Sequence, residues 1–471
     1  LFPLPLSFSH YLSLVLLTNL TRGNEIGANS YLLDFDGEAR VVLDSGMHPR
    51  AEGTDALPNF EPLQHKPLDA IIISHAHHDH LGSLPVLMRE QSKARVFMSE
   101  PTYYLADPLL HNSVQVMLKQ RDELARPEYP FFTHRELDQQ AHIWQACGLN
   151  RAWSLEGHPL IDREPVSFTF HDAGHILGSV GVELNHRGRK VFYTGDVNFS
   201  DQTLVQKAQF PQSEIDTLII ETTRGTHPTP EGFSRPQQIS QLAQAINETF
   251  EKGGAIMIPV FALGKTQETL ALIHFLQRGK QIPAGPIYIG GLGRSLTVIY
   301  DKLAGRSQRS HGHLQLLEDI RPQVLDGKTI TDFKPKKGHI YLLSSGMMTE
   351  KTLSNVLAQR FLSEERHSIL FVGYCDPASP AGRLLATKRG EQVVLSKNYG
   401  EQPVLCRVEH FDLTAHAQRE DLLNYILTVN PRACALVHGD LAALQWFQKE
   451  LAEQRPGMKV ILPPSGETIT I

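Results

Sequence analysis

Six consecutive residues, His75-Ala76-His77-His78-Asp79-His80, crowd four imidazoles and a carboxylate behind a short apolar run. That run, Leu68 to Ser74, has the length and β-branched content of a buried strand. Side chains at alternate positions past a strand end point the same way, so His75 and His77 can grip one ion together. The turn that follows can aim Asp79 and His80 at a second. Imidazoles and a carboxylate without thiolates, and with a position left open, are the donor set of a catalytic rather than a structural zinc site.

Two such ions need about seven ligands, and the chain supplies the rest after further strand-like runs. Val166 to Gly174 leads into His175, with small residues on both sides. Val180 to Leu184 and Lys190 to Thr194 flank the turn signal Asn185-His186-Arg187-Gly188 and read as a hairpin, whose second strand runs into Gly195-Asp196. A carboxylate there can bridge both ions. Ala433 to Val437 delivers a further histidine, His438.

These elements resemble the metallo-β-lactamase superfamily, through the HxHxDH box at His75, the later His175 and Asp196, and the closing His438. The resemblance implies an α/β fold, an αββα sandwich with a dinuclear centre along one edge of its two sheets. It assigns His75, His77, His175 and Asp196 to one metal, and Asp79, His80, Asp196 and His438 to the other. Asp44, in Val41 to Gly46, matches an early aspartate that supports the site from behind the ligands. His78 is expected to face away. His48, His65, His111, His158, His227 and His367 are read as ordinary surface or core histidines.

More chain lies between Asp196 and His438 than the sandwich requires, and it has its own α/β rhythm. Strand-like Ala255 to Val260 precedes a helix from about Lys265, and His339 to Leu343 precedes another from about Glu350; Ser368 to Gly373 forms a third strand. The alternation predicts an inserted, mostly parallel sheet with flanking helices. Glu221-Thr-Thr-Arg-Gly225, Phe261 to Glu268, Ser344 to Met348, Gly373-Tyr374 with Gly382-Arg383, and Leu413 to His416 are similar to the motifs of the β-CASP nucleases. That branch includes the cleavage-and-polyadenylation endonuclease subunit. The resemblance implies a metallo-β-lactamase domain over residues 1–224 and 406–471 and a β-CASP domain over 225–405. It also makes Glu221, His416 and His438 the branch's three additional motifs, with histidine at the last typical of RNA-cutting members. Lys265 stands where arginine is usual, which keeps the charge but loses the bidentate fork. An added RNA-binding domain is not expected after Pro463 to Ile471, nor with it a strong sequence preference.

A chain of 471 residues suits two domains, and its 41% hydrophobic fraction is ordinary for a globular protein. The formal net charge of −6 offers no global attraction to nucleic acid, so a polyanion must be held by local cations and the metals. Cys147, Cys375, Cys406 and Cys434 have no paired spacing and read as reduced thiols of a cytoplasmic protein. The uncharged stretch Leu1 to Leu20 is read as containing the first strand, Tyr11 to Leu17, rather than a signal peptide, followed by a strand over Tyr31 to Phe35; no membrane span is expected. Gly264-Lys265-Thr266 imitates the end of a phosphate loop, but Pro259 holds the required first glycine position.

The chemistry implied is hydrolysis of RNA phosphodiesters by hydroxide held on two divalent ions, zinc being the expected metal. Asp79, Glu221 and His416 are the candidate catalytic residues, with His416, paired to Glu221, protonating the leaving ribose oxygen. Lys265 and Arg383 are candidate phosphate contacts. The expected partner is single-stranded RNA, with a second copy of the chain as a further candidate, and both endonuclease and 5′-exonuclease action stay open. A small-molecule thioester or lactone hydrolase would use the same ions but has no need of Glu221 and His416. A non-catalytic RNA-processing subunit would tolerate lost ligands, and here every ligand type is present.

Overall fold

The computed structural model describes residues 14–64, 66–161, 164–330 and 332–471. His65 and the first ten residues therefore lie outside the described residues. Two seven-stranded sheets face each other. The first runs, in spatial order, Thr468–Thr470, Leu16–Asn19, Tyr31–Asp34, Arg40–Leu43, Ala70–Ile73, Arg95–Ser99 and Trp144–Cys147. The second runs Lys459–Ile461, Ala433–Val437, Thr217–Glu221, Arg189–Tyr193, Val180–His186, Val166–Asp172 and Ala152–Ser154. Alternation along the strands explains the layers. Ala70 and Ile72 point into the apolar layer between the sheets with Phe168, Val182 and Tyr193, while Ile71 and Ile73 point outward. Leu218, Ile220 and Leu436 face the other way onto the helices Arg419–Val429 and Leu441–Gln454. This is the expected αββα sandwich.

The hairpin forms as the turn signal predicts: Val180–His186 and Arg189–Tyr193 pair antiparallel around Arg187 and Gly188, both with positive φ. The first strand lies later than expected, at Leu16–Asn19, where its antiparallel register with Tyr31–Asp34 fixes it; of the predicted Tyr11 to Leu17, residues 11–13 lie outside the described residues.

The inserted sheet has six strands, ordered Gln323–Leu325, Ile287–Gly290, Ile340–Leu343, Ile256–Pro259, Ser368–Phe371 and Arg407–His410, and every pairing is parallel. Helices Arg235–Glu251, Lys265–Arg278 and Gly291–Lys302 accompany it. The last strand corrects the expected boundary. Arg407–His410 pairs with Ser368–Phe371, so the chain leaves the inserted sheet after His410 and not at residue 405. The Arg407 guanidinium, held by Glu248 and Glu409 at 2.6 Å each, anchors that strand. An apolar cluster runs unbroken from Leu105, Ile176 and Leu204 of the sandwich to Leu263, Leu270 and Leu296 of the insertion, so the two halves share a core.

Candidate metal centre

Every expected ligand stands just beyond the C-terminal end of a strand, and the strands end along one edge of the sandwich. Ala70–Ile73 leads to His75, Val166–Asp172 to His175, Arg189–Tyr193 to Asp196, and Ala433–Val437 to His438. After Ile73 the backbone leaves the sheet into the short helical turn His78–Leu81, which is tied down through its own carbonyls. Asn29 N–H donates to Asp79 O, Met47 N–H to His78 O, and Ser45 N–H to His80 O, at 2.8–2.9 Å. Gly46 permits this approach, since a Cβ there would lie 1.7 Å from Asp79 O.

The side chains converge in two groups, His75, His77, His175 and Asp196, and Asp79, His80 and His438. Ligands at about 2.0–2.1 Å from a tetrahedral zinc stand roughly 3.3 Å from one another. In the first group His77 Nδ1 lies 3.1 Å from both His75 Nε2 and His175 Nε2, and Asp196 Oδ2 lies 3.5 and 3.6 Å from those two atoms. Asp196 reaches the second group with its other oxygen, 3.3 Å from His80 Nε2 and 3.0 Å from His438 Nδ1, while Asp79 Oδ2 is 3.5 Å from His438 Nε2. Buried Asp196 Oδ1 and His438 Nε2 have no hydrogen-bond partner. Orphaned buried donors and acceptors are rare, and a cation held between the ligand groups would satisfy them. The residues thus fit divalent metal.

Groups behind the ligands fix the tautomers. His175 Nδ1–H donates to Ala415 O at 2.8 Å and His80 Nδ1–H to Asp44 Oδ2 at 2.7 Å, so in both rings Nε2 is the nitrogen turned toward the cluster and left for a metal. Asp44 also accepts from Ser74 N–H, Ser74 Oγ and Tyr193 OH at 2.7–2.8 Å. It sits at φ 61°, and His438 at φ 50°, left-handed conformations that are uncommon outside glycine and recur at functional sites.

Charge divides along the same line. Burial, reinforced by neighbouring imidazoles, pushes His75 and His175 well below the ordinary histidine range, which keeps them neutral. Burial also opposes charge on His80 and His438, but the carboxylates around them outweigh it. Asp196, Asp44 and Asp79 raise His80, and Asp196 and Asp79 raise His438 to about 10. Asp196, despite its burial, is held well below the carboxylate range by His438, His80 and His416.

His416 completes the site. Its Nδ1 lies 3.2 Å from both oxygens of Glu221, and its Nε2 faces Asp196 Oδ2 at 3.9 Å. Glu221 is itself fixed by Val197 N–H at 2.7 Å. Burial disfavours the imidazolium, but Glu221 and Asp196 outweigh it and the pKa of His416 is raised. The loop carrying His416 is clamped by three cations: Arg224 forks onto Asp412, Arg235 donates to Thr414 O, and Lys265 Nζ donates to Leu413 O.

Two sequence expectations change here. Lys265 does stand at the first position of its helix, yet its ammonium is turned onto Leu413 O; burial, with Arg235 beside it, lowers its pKa to about 7. It braces the His416 loop. Arg383 is exposed, and its guanidinium donates to Ala378 O and Val394 O, so the structure does not bring it to the metal cluster. His78 is exposed, as expected, as are His158 and His227, whereas His367 is a buried acceptor for Ala255 N–H. Sequence reasoning missed Asn29, whose amide lies 3.2 Å from His80 Nε2, along with Ser74, Tyr193 and Thr223, whose hydroxyl is 3.0 Å from His438 Nδ1. Only Thr223 carried a signal, as a member of the Glu221 motif.

Three family profiles match the chain: the metallo-beta-lactamase superfamily over residues 23–147, the Beta-Casp domain over 266–384, and a Zn-dependent metallo-hydrolase RNA specificity domain over 401–463. The matches describe a metallo-β-lactamase domain with an inserted Beta-Casp domain. The chain is 27% identical over 434 residues to Endoribonuclease YSH1 of Candida glabrata, covering 90% of this chain and 54% of that protein. It is 26% identical over 426 residues to Cleavage and polyadenylation specificity factor 73 of Drosophila melanogaster, covering 89% of this chain and 59% of that protein. The chain thus spans little more than half the length of these curated relatives. A solved structure of a protein of unknown function from Enterococcus faecalis V583 shares the fold, with a TM-score of 0.56 at 14% identity over 98% of this chain and all of that one.

Proposed function

We propose that this protein is a metal-dependent ribonuclease that hydrolyses phosphodiester bonds of single-stranded RNA in RNA processing or decay. The observation that carries the reading is the Glu221–His416 pair, set beside two ligand groups that share Asp196. A hydrolase of activated esters needs the ions but no acid for a poor leaving group, whereas a ribose oxygen must be protonated as it departs. His75, His77, His175 and Asp196 would hold one divalent ion, and Asp79, His80, Asp196 and His438 a second, with zinc the proposed metal. When bound, such ions supply Lewis acidity that lowers the pKa of water and neutralises phosphate oxygens.

Glu221 holds the Nδ1–H tautomer of His416, so the proton at Nε2 is the one that faces the reacting centre. Its transfer to the leaving oxygen returns His416 to the neutral form, and solvent reprotonates it. Ala415 O orients His175 while the next residue supplies the acid, so one short loop serves both ligand and proton donor. The names of the relatives, endoribonuclease and polyadenylation factor, favour internal cleavage. Four unpaired thiols suit a reducing compartment, and the cytoplasm is proposed on that ground. Among the described residues no helix is long and apolar enough to cross a membrane.

Metal-replete protein incubated with end-labelled single-stranded RNA and matched DNA tests the reading through product lengths. Internal RNA fragments are expected, with DNA cut far more slowly. Turnover of a lactone, thioester or β-lactam without RNA cleavage under any divalent metal would replace it with a small-molecule hydrolase.

A further inference from the structure

Among the described residues, three aromatic side chains are exposed as large apolar surface: Phe261, Tyr374 and Tyr399. Two of them, Phe261 at 37% and Tyr374 at 48% exposure, line the same recess. They follow neighbouring parallel strands of the inserted sheet, Ile256–Pro259 and Ser368–Phe371, whose register pairs Met257 with Ile369 and so sets Phe261 level with Gly373. The carboxyl ends of a parallel sheet are where α/β domains hold ligands.

The recess is built and backed. Gly346 lies under Phe261, close enough that a Cβ would stand 3.3 Å from its ring, and His410 Nε2–H donates to Gly373 O at 2.9 Å beside Tyr374. The recess is shallow: the space it encloses is about 10 Å³, no more than one water, so a flat ring would lie across its mouth against Phe261 and Tyr374 rather than inside it.

Its position ties it to the metal centre. Lys265 forms part of its wall and reaches Leu413 O, three residues before His416. The preceding Gly264 packs on Ile176, next to the ligand His175. Tyr374 feels the charges of Asp376, Arg50 and Asp440, the last two residues beyond the ligand His438.

We propose that the recess between Phe261 and Tyr374 stacks one unpaired base of the RNA close to the bond being cut. The inference rests on the ribonuclease reading and adds a specificity element to it. An aromatic stack accepts any base but demands an unstacked one, so it selects single strands without depending on base-edge hydrogen bonds.

The test is a cycle on the metal-replete full chain, with an RNA oligonucleotide cut at one site and a series in which a single abasic residue is moved along the strand. With wild type, one abasic position is expected to lower kcat/KM about 5- to 150-fold, the range for one base–aromatic stack. Tyr374→Ala should lose a similar factor on the intact RNA, and then lose less than about twofold more at that same abasic position. Tyr374→Phe should restore most of the rate. If the two losses multiply at every position, no base rests on Tyr374 and the proposal fails, even with RNA cleavage intact. If the wild type cuts no RNA at all, the ribonuclease reading fails first.

Discussion

Asp44 is the most discriminating residue to change, and asparagine is the residue to change it to. At φ 61° an alanine would strain the backbone, whereas asparagine adopts the left-handed region readily, so Asp44→Asn perturbs hydrogen bonding alone. Oδ2 now accepts from Ser74 Oγ, His80 Nδ1 and Tyr193 OH, and Oδ1 accepts from Ser74 N–H. An amide accepts on one atom only. With its oxygen in the three-donor position, the NH2 group meets Ser74 N–H donor to donor, at a separation now 2.7 Å. Turned over, the NH2 faces His80 Nδ1, which must then give up its proton to Nε2 and so lose the nitrogen that a metal held with Asp79 and Asp196 would take. The first outcome costs about 1–3 kcal/mol for an unmet buried donor, and either one forfeits charge-assisted bonds worth about 1.5–3 kcal/mol each. Groups in this supporting position typically change metal affinity about 10- to 100-fold. The expectation is an ion in the Asp79, His80 and His438 group bound that much more weakly, the other group nearly unaffected, and a lowered melting temperature. Chelator competition followed by elemental analysis measures both affinities. An Asp44→Asn protein that surrenders both ions at wild-type chelator concentrations would refute the tautomer argument.

Three further outcomes follow from the same geometry. His416→Ala should keep its full metal content yet lose about 10²–10⁴ in kcat on RNA, and much less on an aryl phosphodiester, whose leaving group needs no proton; equal losses on both would make His416 structural. Asp79→Asn and His77→Ala should each lower metal per chain by elemental analysis and abolish hydrolysis, and unchanged stoichiometry in both would end the dinuclear assignment. In metal-free protein His438 titrates near 10, above its usual 6.5, so its ion pairs with Asp196 and Asp79 stabilise fully below about pH 6.5 and are lost as pH rises through about 10. Metal must displace that proton, so the gain in melting temperature on adding zinc should grow between pH 7 and 9, and a pH-independent gain would contradict the coupling.

The ligands were legible because each is announced locally, by a donor residue directly after an apolar strand. The layer behind them was not. Tyr193 meets Asp44 across 149 positions of sequence, and Asn29 reaches His80 across 51; no local pattern marks either one. Lys265 and Arg383 show the converse limit, since a sequence displays a cation but not which carbonyl it will find. Three of the six strands of the inserted sheet were visible as continuous apolar runs, whereas the runs of Ile287–Gly290 and Gln323–Leu325 are too short to stand out. The last strand, Arg407-Val408-Glu409-His410, is polar and half exposed, held at the sheet edge by ion pairs rather than by burial.

The order of ligands along the chain has a consequence for synthesis. His75 to Asp196 emerge from the ribosome before the inserted sheet, whereas His416 and His438 follow it, and the strand Ala433–Val437 that carries His438 slots in beside Thr217–Glu221 only then. A nascent chain can therefore assemble three histidines and Asp196 early, but it holds neither the proton donor nor the last ligand until the insertion has been made. Bringing those strands together closes a loop of more than two hundred residues, an entropic cost that the local hairpins do not carry. On the proposed ribonuclease reading, this order would keep a half-made enzyme inert beside the RNA-rich machine that is making it.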